Sequence, residues 1–118
     1  MKSKIFLVGM EVFPLDVLVC LGTNKEQVVN HIQKKLRYKL SEAELNELQM
    51  YGAGRTVQLA NGAVVLWCDK YPRKARSVLL HEIIHTTKFI MDRLGMKYDD
   101  ELHAYMCQYL NKQIYKKL

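Results

Sequence analysis

The sequence predicts an α+β fold: a small, mainly antiparallel sheet packed on one long helix, with a C-terminal helix folded back beside it. Three observations carry that expectation. Apolar, strand-like runs recur through residues 5–68, and Asn61-Gly62 parts two of them at hairpin spacing. Residues 73–94 then show helical periodicity up to Gly95. A last helical pattern runs from about Asp99 almost to Leu118.

Residues 5–12 and 15–21 are rich in Val, Ile, Leu and Phe and are separated by Phe13-Pro14. They read as two strands, with Pro14 in the connection because it has no N–H to donate to a ladder. After Gly22, Thr23 and Glu26 stand at capping-box spacing. A helix over 24–40 follows, with Val28, Val29, Ile32 and Leu36 on one face. Ser41 and Glu44 repeat the signature and predict a short helix to about residue 50. Tyr51-Gly52-Ala53-Gly54 breaks it. Residues 55–60 and 63–68 read as strands joined at Asn61-Gly62 by a type I′ turn, which needs positive φ at both central residues. The second of these strands is apolar throughout, so it is expected to be covered on both faces.

A chain of 118 residues suits one domain, spanning 1–118. Apolar residues at 49% and charged residues at 25% exclude a disordered chain. Lys plus Arg outnumber Asp plus Glu by 18 to 12, a net charge of +6 that suits nucleic acid, an acidic partner or plain solubility. Cys20, Cys68 and Cys107 are odd in number and widely spaced, which argues against a disulfide scaffold and for a reducing compartment. The run over 5–21 is interrupted by Glu11, Pro14 and Asp16. It is neither a signal core, which needs about 7–15 apolar residues, nor a membrane helix of about 20. A soluble, cytoplasmic protein without membrane attachment is the expectation.

Chemistry concentrates at His81-Glu82-Ile83-Ile84-His85 within the long helix. Residues four apart share a helical face, so both imidazoles can bind one tetrahedral Zn²⁺. Glu82 lies about 100° round the helix from His81. From there it reaches a zinc-bound water as general base without being a ligand. An apolar helix with accidental histidines would bury them. Instead Leu79, Ile83, Ile90 and Leu94, extended by Leu80, Ile84 and Met91, form one stripe, and His81 and His85 project opposite to it, near Lys74, Lys88 and Asp92. A zinc site needs a third protein ligand, and the candidates lie in Asp99-Asp100-Glu101-Leu102-His103. Asp99 and Asp100 suit a cap and the positive helix N-terminus. Glu101 and His103 point about 200° apart, so only one of them can face the metal, and the periodicity favours neither. His31, far off on the first helix, reads as an exposed polar residue.

His81-Glu82-Ile83-Ile84-His85 followed by an acidic residue on a second helix resembles the gluzincin clan of zinc metallopeptidases. Glu101-Leu102-His103-Ala104-Tyr105, continuing to Tyr109-Leu110, is similar to the glutamate-x-x-alanine-tyrosine end of short proteins encoded by phages and prophages. The resemblance covers about residues 63–118. It implies a single zincin-like domain hydrolysing a peptide or protein substrate. His81, His85 and Glu101 would be the zinc ligands and Glu82 the base. The strand before the helix would line the substrate. Tyr105, Tyr109 and His103 are candidates for stabilising the tetrahedral intermediate.

A second reading is a non-catalytic, zinc-stabilised binding module for DNA or an acidic protein. Basic residues cluster at Lys34, Lys35, Arg37 and Lys39, at Lys70, Arg73, Lys74 and Arg76, and at Lys112, Lys116 and Lys117. The first and last groups complement helix C-termini. The middle group sits at the mouth of the expected cleft. DNA-associated zinc proteases of the SprT-like class share a similar His-Glu-x-x-His helix with a third histidine. Glu82 favours the enzyme, because a purely structural site closes with a fourth protein ligand.

Overall fold

A computed structural model describes residues 3–10, 15–71 and 76–118. Four strands, β1 (Lys4–Gly9), β2 (Asp16–Leu21), β3 (Gly54–Gln58) and β4 (Val64–Cys68), form one sheet in the order β1-β2-β4-β3. The outer pairings, β1 with β2 and β3 with β4, are antiparallel as predicted, while β2 and β4 run parallel at the centre. The sheet is therefore mixed, inside an α+β fold. Phe13-Pro14, the predicted break between the first two strands, lies outside the described residues.

Alternation along the strands sorts side chains into two cores. Val17, Val19, Leu21, Val64, Leu66 and Cys68 face α3 (Arg76–Arg93) and α4 (Asp100–Lys116). Leu18, Cys20, Val65 and Trp67 face the other way, toward Val28 and Ile32 of α1 (Lys25–Lys35), with Leu40 and Leu48 completing that side around α2 (Glu42–Glu47). All five residues of β4 are buried, so the strand is covered on both faces as its sequence requires. Burying one such aliphatic side chain contributes about 1.5–3 kcal/mol. Among the described residues, no helix is long and apolar enough to cross a membrane.

Local signals shift by small steps. The first helix is capped by Asn24 with Gln27, not Thr23 with Glu26; both reciprocal bonds of the box are present one residue later. It ends well short of residue 40, because Arg37 takes φ +49°, the left-handed turn that closes helices. Ser41 and Glu44 form the second capping box as predicted, though α2 stops at Glu47. At the β3–β4 turn only Gly62 has positive φ, at +94°. Gly62 N donates to Leu59 O at 2.9 Å, and Leu59 N to Ala63 O at 2.8 Å. The connection is thus a three-residue loop with glycine in the left-handed position rather than a type I′ turn.

Glu44 ties α2 to that loop. Its carboxylate accepts from Tyr38 Oη at 2.7 Å and Ala60 N at 3.0 Å, besides Ser41 N. Burial alone raises its pKa, but the N–H groups of Ser41 and Ala60 and the hydroxyls of Tyr38 and Ser41 outweigh it and hold the carboxyl at about 2, below its ordinary 4.5. Such a group stabilises the fold fully above its unfolded pKa, and the contribution is lost as pH falls through the folded one. Melting temperature is therefore expected to drop as pH falls from about 4.5 to about 2. Glu44→Gln should flatten that part of the curve in melts recorded across the range; an unchanged slope would show that the contact is not made.

Candidate functional site

The long helix α3 brings the predicted motif to the surface. His81 and His85 are exposed, with Nε2 atoms 3.0 Å apart and rings nearly perpendicular at 73°. Two ligands at about 2.0–2.1 Å from a tetrahedral zinc stand about 3.3 Å apart, so this pair fits a shared metal with little rotation. Imidazole nitrogens are also donors that zinc favours.

Glu82 turns the other way, into the protein. It is only 5% exposed, and its Oε1 accepts from Thr56 Oγ1 on β3 at 2.7 Å. A cleft of about 410 Å³ opens above it, lined by Tyr51, Ala53, Gly54, Ser77 and Val78 together with His81 and Glu82. One histidine and the buried carboxylate therefore share a single opening. Cys68, across the ladder from Gly54, is held as a neutral thiol with a pKa of about 12, by burial first and then by the charges of Glu82 and Asp69. Beside Glu82 it adds no second negative charge.

The buried side of α3 differs from a purely apolar stripe. Leu79, Ile83, Ile90 and Met91 are buried as predicted, but so are Thr86 and Thr87. Their hydroxyls donate to carbonyls one turn back, Thr86 to Glu82 O at 2.8 Å and Thr87 to Ile83 O at 3.1 Å, which satisfies them without water. Leu80 and Ile84, predicted to extend the stripe, are 51% and 41% exposed. They lie beside the histidines, where neither the sheet nor α4 covers them.

Gly95, at φ +66°, ends the turn after α3, and Asp99 caps α4 by accepting from Leu102 N at 3.0 Å. On the first turns of α4 the two candidate ligands separate. Glu101 is exposed; His103 is half-buried, its Nε2 3.4 Å from Ile84 O and its ring against Tyr98. The structure brings His81 and His85 together. Among the described residues, no further His, Cys, Asp or Glu joins them in a group of three. Tyr105 points to solvent, and Tyr109 donates to Gly9 O at 3.5 Å, so neither lines the cleft. Tyr51 does, and sequence reasoning missed it along with Gly54 and Thr56. An aromatic residue followed by two closely spaced glycines reads only as a helix break until β3 is seen lying over α3.

Among the described residues the edge strand next to β4 is β3, since β4 itself pairs on both sides. Of the basic groups, Lys34, Lys35 and Lys116 occupy last turns of helices, where they complement the dipole. Arg73 and Lys74 lie outside the described residues, as does the predicted start of the long helix at 73. His31 is half-buried, its Nδ1 2.9 Å from Gln27 O, remote from the motif in sequence. Comparison with protein-family models, with curated proteins and with solved structures finds no match, so what this site can do follows from its own geometry.

Proposed function

We propose that the chain is a zinc-dependent metallopeptidase in which His81 and His85 hold the metal and Glu82 is the general base. The observation that supports it is the approach of the two Nε2 atoms to 3.0 Å, with His81 opening on the same cleft as the buried Glu82 carboxylate. Zinc, when bound, supplies a Lewis acid that acidifies water and polarises a carbonyl. The protein's own groups do the rest. His81 and His85 would hold the metal through their Nε2 atoms. Glu82 takes the proton that water loses on attacking the peptide carbonyl, and passes it to the amine nitrogen as the C–N bond breaks. β3, the edge strand beside the cleft, is where an extended peptide would add to the sheet.

The third ligand is Glu101 in this reading, carried by the similarity of its surroundings to the glutamate-x-x-alanine-tyrosine pattern. One observation favours His103 instead: its ring lies against α3, whereas Glu101 is exposed. Metal analysis of purified protein decides both questions. About one zinc per chain is expected, with chelation lowering the melting temperature and stopping cleavage of an unfolded protein such as casein. Glu101→Ala should weaken zinc by more than the about 10–100-fold that losing an outer partner of a ligand costs, while His103→Ala keeps it. The reverse pattern would make His103 the ligand. Metal-replete protein without stoichiometric zinc would end the peptidase reading.

A further inference from the structure

We propose that β3 forms a seat for the Glu82 carboxylate, in which Thr56 is a positioning residue and Gly54 provides the space; its catalytic use rests on the peptidase reading. A carboxylate this buried needs a donor, because desolvating it unpaired is costly. Thr56 supplies one. Its hydroxyl has a single proton and two acceptors in reach, Glu82 Oε1 at 2.7 Å and Glu82 O at 3.3 Å. The shorter, charge-assisted bond takes it. Thr56 and Gly54 are two residues apart on one strand, so both face α3. A Cβ at Gly54 would stand 2.8 Å from Glu82 Oε2, 2.9 Å from its Cγ and 2.8 Å from Val78 Cγ1. Gly54 is not among the positive-φ glycines, so its backbone does not demand glycine. The close approach of Glu82 does. One strand therefore holds one carboxylate oxygen by a hydroxyl and admits the other by lacking a side chain. Glu82 is thereby fixed in the rotamer that opens on the cleft beside His81.

Threonine also suits a strand for its own sake, and on that ground alone valine would serve equally. A double-mutant cycle in urea on the metal-free protein separates the two. Thr56→Val should lower the folding constant in the wild-type background and have little effect when Glu82→Met has removed both oxygens. The coupling expected for a bond to a buried charge is about tenfold or more. Zinc-loaded protein cleaving casein gives the second readout. Thr56→Val should lower kcat by about tenfold with KM unchanged, the signature of an interaction made in the transition state. Thr56→Ser, which keeps the hydroxyl, should restore most of it. Gly54→Ala should lower kcat from the other side of the seat. Additive effects in the cycle would overturn the seat, and coupling with a wild-type kcat for Thr56→Val would overturn the positioning role. Coupling in a wild-type protein that cleaves nothing would uphold the seat and refute the peptidase reading instead.

Discussion

Glu82→Gln is expected to keep its zinc and lose peptide hydrolysis by about 10²–10⁴-fold, the usual contribution of a general base. The substitution preserves size, and the side-chain amide oxygen still accepts from Thr56, so the buried position stays filled and bonded. What disappears is the carboxylate's affinity for a proton. Because Glu82 turns inward while His81 and His85 are exposed, the metal pair is left as it was. Zinc content and kcat on casein, measured on the same preparation, check both halves. Wild-type cleavage by the variant would remove Glu82 from the mechanism, and loss of zinc would give the carboxylate a role in holding the metal.

His81→Ala should lose the metal and all hydrolysis together, yet leave the metal-free fold almost untouched. The ring is exposed and approaches His85 at 3.0 Å. A surface change of this kind usually stays within about 0.5 kcal/mol. The clearest reading comes from melting curves with and without chelator. Wild type should show a gap between the two, and His81→Ala should melt where chelated wild type melts. His85→Ala should behave alike, since each histidine supplies half of the bite. A variant that binds zinc at wild-type stoichiometry would show that the pair is not the metal's anchor.

The parts of this fold legible in the sequence are those written by neighbours along the chain. The Ser41–Glu44 cap, the stop at Gly95, the Asp99 cap and the outward histidines each depend on spacings of a few residues. Where two local candidates compete, the choice slips: Thr23 and Asn24 both suit a cap, and the reciprocal bond with Gln27 decides for the second. The parallel pairing of β2 with β4 has no local signal, because nothing in either strand states its partner. The same holds for the site. Periodicity places Glu82 beside the apolar stripe, but only the packing of β3 on α3 joins it to Thr56 and Gly54. Leu80 and Ile84 fail for the converse reason: helical angle sets them next to the apolar stripe, and only tertiary packing shows how much of each stays exposed.

The central parallel ladder bears on the order in which the chain assembles. Val17 pairs with Val64, far along the chain, whereas β3 reaches β4 through the five residues 59–63. Closing a loop roughly ten times longer costs about 2 kcal/mol more in chain entropy. The β3–β4 hairpin with the helix after it, and the β1–β2 pair, each join neighbours in sequence, so their contacts cost less chain entropy than the joining of β2 to β4. Gly54, Thr56, His81, Glu82 and His85 all belong to that hairpin and its helix. The candidate site is thus built from contacts local in sequence, whereas the two halves of the sheet are joined by one long-range pairing.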